Sequence, residues 1–240
     1  CITHRGNQVV SGVALNILAA GLAITLALNW YQMGGLTPKL EGDARFTPIT
    51  LWVAEALAGI PLIGPIYAST LSGHSALVYM AFIAVPITWF LLFQTRFGLR
   101  LRAVGENPSA LDVAGLSVDR MRYLALIAGS VFCGLAGTYL AVAANAGFVR
   151  DMTAGRGFIA LAAVIFGKWM PGKVLIACLL FGALDGIAIL LQGVEIAGLG
   201  QVPVQLIEAL PYGLTIVLLA GLVGKSVPPQ SIGIPYVKDR

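Results

Sequence analysis

FGLRLRAVGENPSALDVAGLSVDRMRY, running from Phe97 to Tyr123, is a compact basic segment set between two long apolar runs. Pro108 fits the first turn of a short helix, with Asn107 as its cap, Ser109 to Ala114 as its body and Gly115 as its stop. A short capped helix between basic flanks is a rigid knob for another protein to grip. The competing reading is an ordinary positively charged loop, but such a loop needs neither a cap nor a glycine stop.

The runs on either side set the fold class. Hydrophobic residues make up 58% of the 240 and charged ones 11%, and the mean hydropathy is +0.87. No ordinary soluble core can be covered with so little polar surface. The chain reads as an all-α, polytopic helical membrane protein. Runs of about 20 apolar residues are needed to cross the hydrocarbon, where backbone groups must bond internally. Residues 9–30, 75–93 and 123–144 meet that rule, the first ending at the aromatic pair Trp30 and Tyr31. Three more spans are expected at 152–167, 174–191 and 206–223, although these carry Arg156, Asp185 and Glu208. The count is about six membrane helices.

Charge orients them. Arg5, Arg96, Arg100, Arg102, Arg120, Arg122, Lys168, Lys173, Lys225, Lys238 and Arg240 fall on one side of a six-span arrangement. The alternate loops carry Lys39, Glu41, Asp43 and Arg45, then Arg150, Asp151 and Arg156, then Glu195, and nearly balance. The positive-inside rule makes the basic side cytoplasmic, with a cytoplasmic C-terminus. A single membrane domain over 1–240 follows, with a cytoplasmic segment at 97–122 and an extracytoplasmic loop at 34–74. That loop, rich in Pro and Gly, holds either a short interfacial helix near residues 49–59 or irregular chain. The formal charge of +4 is spread over short loops rather than gathered on one face, so no nucleic-acid partner is implied.

Enzymatic chemistry has little to work with. The two histidines, His4 and His74, lie in different loops, and there is no HExxH or paired-cysteine motif. Cys1, Cys133 and Cys178 do not form a disulfide framework, and the last two read as free thiols in apolar runs. The stretch GLVGKS at 221–226 resembles the end of a phosphate-binding loop, but Leu219 stands where that loop requires glycine. No metal site is expected. The chain opens Cys1-Ile2-Thr3-His4-Arg5, with no initiator methionine or leader, as expected of the later part of a longer protein.

Polar groups within the spans face a protein interior or a wet cavity, because removing them from water is costly. Asp185, Glu208 and Arg156 therefore either join helices or line a path. Small residues, Gly129, Ser130, Gly134 and Gly137 on one helix and Gly182 with Gly186 on another, permit close helix approach.

The string LRAVGENPSALDVAGLSVDRMRY resembles the coupling segment of permease subunits of ABC importers in the branched-chain amino acid, ribose and nucleoside group, with its GxNxxAAxxxGI pattern. MTAGRGFIALAAVIFGKWMPGK, NQVVSGVALN and the Gly-Ile-Pro-Leu-Ile-Gly-Pro patch are similar to the simple-sugar and nucleoside branch, whose permeases work with basic-membrane-protein type lipoproteins. The departure is Pro108-Ser109-Ala110 in place of the group's Glu-Ala-Ala.

The resemblance implies the later helices of a permease of about ten spans in the cell (inner) membrane. It also implies ABC ATPase subunits that bind ATP and Mg, a second permease subunit, a different sister chain in the nucleoside branch, and an extracytoplasmic solute-binding lipoprotein. No cofactor is expected in this chain itself. Gly105, Glu106, Asn107, Pro108, Ala110 and Gly115 carry over onto the coupling segment. Arg102 and Asp112 are placed to meet charges on the ATPase. A nucleoside or sugar carries hydroxyls and ring nitrogens without net charge, so amides and hydroxyls suit its passage. Asn7, Ser11, Asn16, Asn145 and Thr153 are the pathway candidates. An ion-coupled carrier or channel using Asp185 and Glu208 is the alternative, and a membrane scaffold is a third reading. Branched-chain amino acids are the alternative cargo.

The orientation is directly testable. With Cys1, Cys133 and Cys178 replaced by alanine, Glu106→Cys should resist an impermeant thiol reagent added outside intact cells and react once the membrane is opened. Labelling from outside would reverse the topology.

Overall fold

The computed structural model describes residues 1–49, 72–191, 195–196, 200–201, 209, 213 and 226–238. The sixth expected span, with Glu208, and nearly all of the expected interfacial helix at 49–59 lie outside the described residues, as do Lys225 and Arg240.

Seven helices account for most of the described chain: α1 (Gln8–Tyr31), α2 (Ala76–Gln94), α3 (Arg96–Glu106), α4 (Pro108–Val113), α5 (Val118–Thr138), α6 (Arg156–Phe166) and α7 (Pro171–Leu191). A π-helical turn, Tyr139–Ala144, prolongs α5. Two antiparallel two-residue strands, Glu195–Ile196 and Gly200–Gln201, are a small exception to the helical plan. At 1.5 Å per residue, the 24 residues of α1 reach about 36 Å, enough to cross a hydrocarbon core of about 30 Å. Helices α1, α2, α7 and α5 with its π turn are long and apolar enough to span.

The residues that start and stop these helices explain their limits. Asn7 caps α1, its side-chain oxygen accepting from the Val9 and Val10 amides at 2.9 and 3.2 Å. Gln32, at φ 57°, ends it. Helix α5 begins at Val118, five residues before the expected span, because Ser117 Oγ accepts from the Arg120 amide at 3.3 Å. Its first turn thus carries Asp119 and Arg120 at the water-facing end. Pro86 interrupts the bonding of α2 without ending it, as membrane helices tolerate.

The expected span at 152–167 needs correction. The helix there, α6, has 11 residues and is about 17 Å long, roughly half the hydrocarbon thickness. Asp151, Ala154 and Gly155 all have positive φ, so the chain turns through 150–155 and cannot enter a right-handed helix before Arg156. Apolar composition alone concealed that.

The described chain divides into two compact units, residues 1–84, 95–154 and 231–240 in the first, and 85–94 and 155–230 in the second. Within the first, chain segments meet at both ends of α1 and α5. Beyond their C-terminal ends, the Thr37 amide donates to the Phe148 carbonyl at 3.1 Å and Leu40 to Ala146 at 2.8 Å. Phe148 returns a bond to Thr37 Oγ1 at 2.8 Å. Near their N-terminal ends, the Thr3 and Tyr123 hydroxyls are hydrogen-bonded. The 97–122 segment and the C-terminal tail join that end. Arg5, Arg120, Arg122 and Lys238 therefore lie at the same end of this unit.

Within the second unit, α6 and α7 form a hairpin around Ala163, Ala177 and Phe181, with Ile159, Phe166 and Leu184 against them. The Phe166 and Phe181 rings meet edge to face at 5.6 Å. Most other large apolar side chains on the long helices point outward, as they must in lipid or against further helices. Gly129, Gly134, Gly137, Gly182 and Gly186 also have open space where a Cβ would stand. Their small-residue stripes are not used for packing among the described residues.

Gly167, the C-cap of α6 in the turn to α7, differs, since a Cβ there would lie 2.5 Å from Val174 Cγ2 and 2.6 Å from the Val174 amide nitrogen. The hairpin closes by bringing backbone against Cα. Gly167→Ala should therefore destabilise the protein by about 1–3 kcal/mol, visible as earlier thermal denaturation in detergent. Gly172→Ala, with nothing within 4 Å, should not; equal effects would contradict the close approach.

Candidate functional site

The 97–122 segment is built as a corner of three helices. Thr95 caps α3, its hydroxyl accepting from the Gly98 amide at 3.1 Å. Asn107 caps α4, its Oδ1 accepting from the Ala110 amide at 3.1 Å, with Pro108 in the first position where no amide is required. At the other end, the Gly115 amide donates to Asp112 O at 2.9 Å and the Leu116 amide to Leu111 O at 3.2 Å. Gly115 sits at φ 79°. This paired bonding is a Schellman stop, and Leu116 packs on the same cluster as Leu111 as that motif prefers. The expected cap, first-turn proline and glycine stop are all present.

One face of this corner is anchored. Val104 from α3, Leu111 from α4, and Val118 and Met121 from α5 form a buried cluster, with Phe97, Leu101, Ala103, Leu116 and Tyr236 against it. Burying each large side chain contributes about 1.5–3 kcal/mol relative to exposure. The other face is open: Val113 is 90% exposed, and Arg102, Glu106, Asn107, Ala110 and Gly115 are exposed too. Gly105 and Pro108 are half-buried. Val113 is thus an apolar side chain held outward on a short helix capped at both ends.

Asp112 behaves otherwise. Its Oδ2 accepts from the Tyr236 hydroxyl at 3.1 Å and its Oδ1 from Lys238 Nζ at 3.1 Å, so both oxygens have partners inside the chain. Together with Arg5, Ser117, Asp119, Tyr236 and Lys238, it lines a recess of about 360 Å³.

The pathway candidates do not converge on one cavity. Asn7 spends its side-chain oxygen on the α1 cap, and Ser11 Oγ donates to the Asn7 carbonyl at 2.9 Å. Asn16 lies exposed along α1 and Thr153 exposed in the turns before α6. Asn145 donates to Leu140 O at 2.9 Å and closes the widened end of α5. Of the charged residues within the expected spans, Arg156 and Asp185 face a common groove of about 220 Å³ between α6 and α7, lined also by Cys178, Phe181 and Gly182. No group of His, Cys, Asp and Glu among the described residues could hold a metal.

Sequence reasoning missed the tail. Ser231 and Tyr236 reach groups more than 120 residues away, and nothing local in SIGIPYVKDR announces it. In the sequence Lys238 reads only as one more positive charge.

Comparison with known proteins then places the chain. Residues 2–221 match the family described as branched-chain amino acid transport system / permease component. The chain is 36% identical over 239 residues to a nucleoside ABC transporter permease protein of Lactococcus lactis subsp. cremoris, covering all of this chain and 72% of that protein. It is 37% identical over 240 residues to a guanosine ABC transporter permease protein of Bacillus subtilis, with the same coverage. A putative glucose ABC transporter permease protein of Haloferax volcanii is 38% identical over 198 residues, 82% of this chain and 56% of that protein. Weaker matches in the same two bacteria are another nucleoside ABC transporter permease protein, 30% identical over 123 residues, and another guanosine ABC transporter permease protein, 35% identical over 107. No solved structure matches. The chain belongs to this permease family, and is a transport subunit of the membrane rather than an enzyme.

The caps of α4 are open to measurement. Asn107→Ala should cost about 1 kcal/mol, and Gly115→Ala about 1–2 kcal/mol through its left-handed backbone. Hydrogen exchange at the Ala110, Gly115 and Leu116 amides should quicken by about fivefold or more, with Asn107→Asp close to the unaltered protein. Unchanged exchange in both would mean the caps do not hold the helix.

Proposed function

We propose that this chain is one permease of an ATP-driven importer that carries nucleosides, or next to them simple sugars, inward across the cell membrane. The observation that carries the reading is α4: a helix capped at Asn107, stopped at Gly115, anchored through Leu111 and presenting Val113 outward. The names of its relatives supply the cargo class.

In this reading ABC ATPase subunits, which bind ATP and Mg, seat on α4 and its flanks at Gly105, Glu106, Asn107, Pro108, Ala110 and Gly115. No cofactor belongs to this chain. A second, different permease completes the pathway, and an extracytoplasmic solute-binding lipoprotein delivers the cargo. The basic end formed by Arg5, Arg120, Arg122 and Lys238 faces the cytoplasm, which puts the C-terminal tail there as well. Asn7, Ser11, Asn16, Asn145 and Thr153 remain pathway candidates, with uncharged groups suited to hydroxyls and ring nitrogens. The outward apolar surfaces of the long helices supply ample area for lipid and for the second permease.

The test is uptake of labelled guanosine into vesicles holding the complete permease pair, the ATPase and the binding protein. Uptake should require ATP and be indifferent to collapse of ion gradients. Ala110→Trp, on the exposed face of α4, should reduce co-purification of the ATPase by about tenfold. ATP-independent, gradient-driven uptake would replace the proposal with an ion-coupled carrier.

A further inference from the structure

We propose that the C-terminal tail, residues 231–238, is a working part of the coupling element: it splints the joint between α3 and α4, and Tyr236 is its main positioning residue. The inference rests on the coupling role proposed above. The tail itself lies beyond the 2–221 that match the family.

The joint needs a splint. Helix α3 ends at Glu106 and α4 starts at Pro108, so Asn107, at φ −145° and ψ 89°, is the one residue between them and is not helical. Pro108 has no amide to continue the ladder. The last carbonyls of α3 consequently lack partners within the helix. Two helices joined this way pivot easily, and a push on α4 would be absorbed as bending at Asn107.

The tail grips both sides of that joint. On the α3 side, the Ser231 amide donates to Gly105 O at 2.9 Å, and Ser231 Oγ donates to Glu106 O at 3.4 Å. Those are two of the orphaned carbonyls. On the α4 side, Tyr236 and Lys238 hold the two oxygens of Asp112. The Tyr236 ring also packs against the cluster of Val104, Leu111, Val118 and Met121, which contains residues of α3, α4 and α5 together. A turn around Gly233, with the Ile234 amide bonded to Ser231 O at 3.3 Å, sets the path between the two grips.

The two α4 contacts differ in weight. The Lys238 side chain is 71% exposed and that of Asp112 21%, so water and salt weaken the ion pair. Tyr236 is partly buried and joins a hydrogen bond to apolar packing, which makes it the stronger anchor.

The test has two arms, both on the complete permease assembled with its partner permease, ATPase and binding protein. In the first, Cys1, Cys133 and Cys178 are replaced by alanine, and spin labels are placed at Leu99→Cys on α3 and Ala114→Cys at the C-terminal cap of α4, both exposed. Tyr236→Phe with Lys238→Met should broaden the distance distribution between the labels. In the second, guanosine taken up per ATP hydrolysed should fall by about threefold while ATPase co-purification persists. Lys238→Arg should keep both readouts near the unaltered values. If the double variant does not assemble, Tyr236→Phe alone, which removes one hydroxyl, carries both arms.

An unchanged distance distribution overturns the splint. A broadened distribution with an unchanged ratio of uptake to hydrolysis overturns its role in coupling. Failure of the functional reading looks different: the unmodified assembly would show no ATP-driven uptake before any change to the tail, and the coupling role would fall with it.

Discussion

Hydrocarbon offers no hydrogen-bonding partner, and the rest of this structure depends on that constraint. Along the body of a helix every backbone group is satisfied by its neighbour, so the long helices need little more than apolar side chains. Only the ends pose a problem. The specific side chains of the chain are accordingly concentrated there: Asn7 before α1, Thr95 before α3, Asn107 before α4 and Ser117 before α5 each accept from amides of the first turn. Ser231 answers the same demand from the opposite direction, donating to carbonyls at the end of α3.

This concentration explains what could be read from the sequence. A cap, a proline and a glycine stop are local signals, and Asn107, Pro108 and Gly115 define α4 almost to the residue. Continuous apolar runs locate α1, α2 and α7 within a few positions for the same local reason. The short α6 escaped because its start is decided by backbone conformation at Asp151, Ala154 and Gly155, while composition reports only that the run is apolar. The closed turn at Gly167 compounds this, since glycine in an apolar segment reads equally as packing, flexibility or close approach.

The polar candidates show a second limit. Sequence polarity does not distinguish a side chain that lines a path from one that repairs a backbone. Asn7 and Asn145 both bond to the backbone beside them, whereas Asn16 lies on an outward helix face. Contacts such as Thr37 with Phe148 or Tyr236 with Asp112 join residues more than 100 positions apart, and no periodicity carries that information.

The connection between α4 and α5 bears on how a force applied at α4 would travel. Residues 114–117 hold the Schellman stop of one helix and the cap of the next, leaving no slack chain between them, and Leu111 and Val118 share one buried cluster. Helix α5 then runs unbroken into its π-helical end at Ala144, where Asn145 closes the turn and residues 146–150 bond to residues 35–40 beyond α1. Packed elements transmit displacement when they have no compliant link; on this route the widened turn is the weak point, while the α3–α4 joint on the other side of α4 is where a push would leak away. A π-helical turn is a strained insertion often found at functional positions. If α4 couples as proposed, stiffness at its end of α5 and tolerance for rearrangement at the π-helical end are the combination that lets a push on one side of a membrane change the shape of the other.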